Sequence, residues 1–133
     1  MSNPSEPSTT PYAQMGGEAA VRALVDRFYD LMDTLPEVRP LRDLHPTELT
    51  ESRTLLFWFL SGWLGGPPLF VEKRGHPMLR RRHFRFPIDE AMRDQWMRCM
   101  AQALDEHVAD RALRERLTTA LANLADHMRN RDG

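Results

Sequence analysis

Apolar residues fall in helical registers along most of this chain. Between Glu18 and Met32, the residues Val21, Leu24, Val25, Phe28, Leu31 and Met32 recur at steps of three and four, the spacing of one helix face. Gly16-Gly17 sits just before this stripe and marks a bend. Pro36 and Pro40 then interrupt the pattern, so Leu35 to Leu44 is expected to hold only short helical turns. Thr50 is expected to cap the next helix, with Glu51 in its first turn complementing the helix dipole, and that helix runs to about Leu64. Its second half, Leu55-Leu56-Phe57-Trp58-Phe59-Leu60, has almost no polar face. A helix apolar all round must be covered on more than one side, and a bulky bound group is one way to cover it.

Gly65-Gly66-Pro67-Pro68 ends that helix. A loop to Gly75 is expected next, followed by a short helix around Met78 to His83 that Pro87 closes. Asp89 reads as the cap of a helix carrying Met92, Trp96, Met100 and Leu104. Asp110 reads as the cap of the last one, with Leu113, Leu117, Leu121, Leu124 and Met128. No segment alternates with the period of a half-buried strand. The pattern therefore predicts an all-α fold with two long C-terminal helices and no sheet.

Composition narrows the class without changing this picture. With 133 residues, 41% apolar and 28% charged, the chain suits one globular domain with a single core. Residues 1–11, rich in Ser, Pro and Thr, are expected to be a disordered extension, neither signal peptide nor anchor, and 12–133 the folded domain. A net charge of −1 gives no global pull toward nucleic acid or anionic lipid. The single cysteine, Cys99, rules out an intrachain disulfide and suits a reducing compartment, so the expected location is the cytoplasm. Cys99 itself reads as a small buried apolar residue.

There is no Gly-rich phosphate loop, no paired cysteine and no HExxH. The informative stretch runs from Gly75 to Pro87. His83 stands there among Arg80, Arg81, Arg82 and Arg85, beside Phe84 and Phe86. One reading is a surface histidine in a basic patch. The sharper one is an axial ligand to haem iron, because haem needs an imidazole, aromatic walls and cations for its propionates. The basic run could instead meet phosphate, although nucleic-acid contact usually comes with a larger basic surplus.

Other side chains carry paired readings too. Tyr29 is either amphipathic packing or a hydroxyl donor facing a pocket. Trp96 belongs to the apolar stripe of its helix, yet its indole N–H is a donor. His45 before Pro46 is either a turn residue or part of a pocket. Trp58 and Trp63 are core or interface, and the latter option leaves monomer and homodimer both open. His107 and His127 are expected to face solvent.

Taken together, the motifs resemble the group II truncated haemoglobins, the small two-over-two globins of bacteria and plants, from Pro11 to Met128. They are Pro11-Tyr12 with Gly16-Gly17, Arg27-Phe28-Tyr29, Phe59-Leu60 with Trp63-Leu64-Gly65-Gly66-Pro67, and Gly75-His76-Pro77. Leu79-Arg80-Arg81-Arg82-His83, Asp94-Gln95-Trp96 and Cys99-Met100 complete the set. The resemblance implies a two-over-two helical sandwich around haem b, with His83 as proximal iron ligand. It implies distal roles for Trp96, Tyr29 and His45, and for Ser52 and Leu56 on the distal helix. Arg82, with Arg80, is implied toward a propionate, and Phe84, Phe86 and Phe59 toward the macrocycle.

Two departures stand out within the resemblance. His45 replaces the commoner Tyr or Phe, and Leu56 leaves the distal helix with at most the Ser52 hydroxyl. The implied activity is reversible binding of oxygen, carbon monoxide or nitric oxide. An alternative is a haem redox enzyme, peroxidase-like or consuming nitric oxide, with peroxide or sulfide among its ligands. Donors aimed at a polarised ligand hold it electrostatically, so slow release is expected.

Overall fold

The computed structural model describes residues 10–76, 78, 83 and 86–130. Helices supply all the regular structure among the described residues. Thr10 accepts the Ala13 N–H through its hydroxyl at 3.1 Å and opens α1 (Pro11–Met15). Thr10 and Pro11 are thus the cap and first residue of a helix, at the edge of the extension expected from composition. Gly16 and Gly17, both at positive φ, turn the chain into α2 (Glu18–Thr34). The expected stripe is the buried face of α2: Val21, Leu24, Val25, Phe28, Leu31 and Met32 are all covered, and Tyr29 is buried beside them. Fully burying a side chain of this size contributes about 1.5–3 kcal/mol, which makes α2 the central strut of the core.

Pro36 ends α2, and the interval to Asp43 holds only a 3₁₀ turn (Pro36–Val38) and α3 (Arg39–Asp43), as the prolines require. The next helix, α4 (Thr50–Trp63), is not capped by Thr50. Thr50 is its first helical residue, and Glu48 does the capping work: its carboxylate accepts the Thr50 hydroxyl at 2.7 Å and the Thr50 N–H at 3.3 Å. The stretch expected to be a loop contains α5 (Leu69–Arg74), which starts straight after Pro68 and ends in Lys73 and Arg74. Prolines that cannot continue one helix are pre-set to start another, and terminal cations suit its dipole. Met78 is exposed, with φ of 47°, and so does not open the expected short helix. His83 is helical.

Asp89 and Asp110 cap α6 (Glu90–His107) and α7 (Arg111–His127) through carboxylate bonds of 3.0 and 2.9 Å to Met92 and Leu113 N–H. Both caps and both apolar stripes agree with the sequence pattern. His107 and His127 are exposed, and Cys99 is fully buried. Helix α2 packs on α6 and α4, and α6 packs on α7.

The Gly-Gly-Pro turn explains its own composition. The Tyr12 N–H donates to Leu64 O at 2.9 Å, and the Tyr12 ring lies over the turn so closely that a Cβ on Gly66 would collide with it. Gly65 has φ of +96° and a Thr10 methyl against it. The turn therefore fastens α1 to the end of α4.

Candidate functional site

Four rings converge where α2, α6 and the end of α3 meet. Phe28, fully buried, stacks edge-on against Tyr29 with centroids 4.9 Å apart, and tilts against Trp96 at 5.1 Å. Tyr29 in turn meets the His45 ring edge-on at 6.0 Å. Tyr29, Trp96 and His45, assigned separately from sequence, thus form one cluster with Phe28 at its back. Phe28 belongs to the motif as a packing residue, and each edge-to-face contact adds about 0.5–1.5 kcal/mol beyond area.

Polar atoms of this cluster are left open. Among the described residues, no protein group hydrogen-bonds the Tyr29 hydroxyl, the Trp96 indole N–H or His45 Nε2, whereas His45 Nδ1 lies 3.0 Å from Leu41 O. A carbonyl only accepts, so Nδ1 carries the proton and Nε2 of the neutral ring presents a lone pair. Burial pushes His45 below its ordinary pKa, and the charges of Arg42 and His83 push the same way against the Leu41 bond. Burial raises the Tyr29 phenol far above its usual range despite Arg53, so Tyr29 remains a neutral donor.

Three clasps hold these rings in place. The Arg53 guanidinium, on α4, reaches Asp26 O at 3.0 Å, Asp26 Oδ1 at 3.2 Å and Asp30 Oδ1 at 2.9 Å, all on α2. It also sits 5.8 Å above the Tyr29 ring. Arg27 bridges α2 to Glu106 of α6 at 2.5 and 3.1 Å, holding the Glu106 carboxyl at about 2. Gln95, beside Trp96, accepts the Leu41 N–H at 3.0 Å and so braces the residue whose carbonyl orients His45. Arg27 and Gln95 belong to the quoted motifs. Nothing in local sequence signals Arg53, because its partners lie on another helix.

On α4, Ser52, Leu56 and Phe59 are spaced four and three apart and share one face, and all three are half-buried. Leu56 and Phe59 pack on the core yet stay partly uncovered, as do Met92, Trp96 and Met97 on α6. This is the incomplete coverage that the apolar run of α4 predicts. Partly covered apolar faces and unpaired ring donors beside the His45 ring fit a flat, largely apolar group with a polarisable ligand at its centre. Phe86 is half-buried, and its N–H donates to His83 O at 3.0 Å. Arg80, Arg82 and Phe84 lie outside the described residues.

Trp58 is half-buried between Lys73 and Arg74, whose cations stand 5.3 and 5.8 Å from its ring, while Trp63 is 36% exposed. Neither belongs to the ring cluster.

The sequence profile of the bacterial-like globins matches residues 10–130. The chain belongs to that family, as a group II truncated haemoglobin. Its backbone superimposes on the group II two-on-two haemoglobin of Agrobacterium tumefaciens with a TM-score of 0.92, at 48% identity and over 100% of both chains. It matches the cold-adapted truncated haemoglobin of Pseudoalteromonas haloplanktis TAC125 at 53% identity and a TM-score of 0.91, over 92% of this chain and 99% of that one. The truncated oxygen-avid haemoglobin of Bacillus subtilis aligns at 40% identity and a TM-score of 0.82, over 92% and 100%. This globin therefore has the two-over-two fold, and its family is one of haem-binding proteins. Among the described residues no helix is long and apolar enough to cross a membrane.

Proposed function

We propose that this globin holds haem b through His83 and reversibly binds oxygen, carbon monoxide or nitric oxide on the side of Tyr29 and Trp96. The supporting observation is the ring cluster, with a phenol and an indole N–H unpaired beside a partly uncovered apolar face. Haem, held by His83, would supply the iron that binds and polarises a diatomic ligand. The chain supplies what surrounds it. Tyr29 and Trp96 donate toward the ligand's developing negative charge. Leu56 and Phe59 exclude water from one side, and Ser52 sits at the mouth on the same helix face. His45, neutral with its proton on Nδ1, presents an acceptor at Nε2 and so does not act as a third donor. Arg82, with Arg80, meets a propionate, and Phe84 and Phe86 line the proximal side of the macrocycle.

Each neutral hydrogen bond contributes about 0.5–1.5 kcal/mol, which is a several-fold change in off-rate. Trp96→Phe keeps an aromatic ring and removes the N–H. Stopped-flow oxygen release should become several-fold faster in this variant. An unchanged rate would return Trp96 to packing alone.

The same polar set favours a second reading, a haem redox enzyme acting on peroxide, sulfide or nitric oxide. Steady-state turnover with peroxide separates the two, since a pure binding protein shows none beyond free haem. The single buried cysteine supports placing the protein in the cytoplasm. The exposed edge of Trp63 is the surface to test for a homodimer against a monomer.

A further inference from the structure

Asn130 lies beyond the end of α7, 47 residues from His83 in the chain, yet its side chain is spent on the segment that carries His83. The carboxamide Nδ2 donates to His83 O at 3.2 Å and to Phe86 O at 3.0 Å. Its Oδ1 accepts the Ile88 N–H at 3.0 Å, and the Asn130 backbone N–H donates to Ile88 O at 2.9 Å. Among the described residues, Asn130 thus makes four hydrogen bonds to His83, Phe86 and Ile88. Only a carboxamide can do this, because the set needs donors and an acceptor on one short side chain.

The local structure shows why such a tie is needed. His83 is followed four residues later by Pro87, and Ile88 precedes the Asp89 cap of α6. A helix cannot continue into Pro87, so hydrogen bonds from outside help to hold the end at which His83 stands. The His83 carbonyl is held from two directions, by the Phe86 N–H and by Asn130, which fixes the backbone from which the imidazole projects.

We infer that Asn130 is a positioning residue for the proximal histidine, setting the orientation of the His83 imidazole toward the iron through the His83 and Phe86 carbonyls. This rests on the reading of His83 as the axial ligand. Groups that orient a metal-binding histidine change metal affinity by about 10- to 100-fold when lost.

Asn130→Asp is the test. It keeps size and the acceptor for the Ile88 N–H, removes both side-chain donors, and sets a carboxylate against two carbonyl oxygens. In the haem-loaded protein, haem loss to an apoglobin acceptor should quicken at least about tenfold. The iron–histidine stretching band of the ferrous, ligand-free form should shift and broaden. Leu124→Ala, a core truncation on α7 away from this tie, should lower stability and leave that band in place. Haem loss within twofold of the parent with an unmoved band in Asn130→Asp would overturn the inference. So would an equal band shift in Leu124→Ala, which would reduce the effect to general stability. Should Asn130→Asp fold poorly, Asn130→Ser is measured for the same band, and amide exchange at Phe86 and Ile88 should quicken in its haem-free form. Unchanged exchange there would also overturn it. If His83→Gly abolishes the band and Asn130→Asp leaves it alone, only the role of Asn130 fails; if His83→Gly leaves it, the axial reading itself fails.

Discussion

Tyr29 and Trp96 stand on α2 and α6, long helices whose apolar faces are buried in the core, whereas His83 stands on a short stretch tied back by hydrogen bonds from a residue beyond α7. On the first side, position is set by packing: Phe28 touches both rings and is itself completely covered. Many small contacts share the task, and clasps such as Arg53 and Arg27 add to them. On the second side, position depends on a few directional bonds through Asn130. Packing gives stiffness that degrades gradually under substitution. A polar tie is local and fails when its donor is removed.

That contrast can be broken by experiment. The largest effect should come from Phe28→Ala, which empties the centre of the ring cluster. Deleting a buried phenylalanine costs about 3–5 kcal/mol, and denaturant titration should report a loss in that range. Oxygen release should quicken as well, since Tyr29 and Trp96 lose their common wall. A loss below about 1 kcal/mol would mean that the rings are held by something other than Phe28.

A smaller effect is expected for Arg53→Met, which keeps the apolar stem and removes the guanidinium. Its bonds to one backbone carbonyl and two half-exposed carboxylates should together contribute about 1–2 kcal/mol. High salt should shrink the difference, because the carboxylate part is screened. A difference independent of salt would assign the effect to packing against the Tyr29 ring.

The smallest effect concerns His45. Burial lowers its folded-state pKa below the unfolded value of about 6.5. Between those two values the unfolded chain binds more protons than the folded one, so stability falls as pH drops from about 6.5 toward the folded value. His45→Phe should flatten that part of the stability–pH curve in the haem-free chain. Parallel curves for parent and variant would show that His45 is not buried as a neutral ring.

How far the sequence foretold this follows the same division. The stripes of α2, α6 and α7, the Asp89 and Asp110 caps and the breaks at Pro36 and Gly65 are local patterns, and each was readable in place. Tyr29, His45 and Trp96 were named individually, although only the tertiary fold shows that Phe28 joins them. Thr50 misled because the helix starts one residue earlier than expected: Thr50 is its first helical residue, and its hydroxyl donates to Glu48 and does not cap. The helix Leu69–Arg74 was hidden by four consecutive breakers before it. His45 was legible as a polar pocket residue, but the tautomer that makes it an acceptor depends on Leu41 O and on the Gln95 brace. Asn130 and Arg53 carry no local signature at all, since their partners are 47 and 27 residues away.

The central claim is that His83 carries the iron. His83→Gly, reconstituted with haem and compared with the parent by visible absorption in the ferrous form, tests it most directly. The account predicts loss of the histidine-ligated spectrum and its return when free imidazole is added to fill the gap. A variant that takes up haem with the parent's bands, without imidazole, would contradict it.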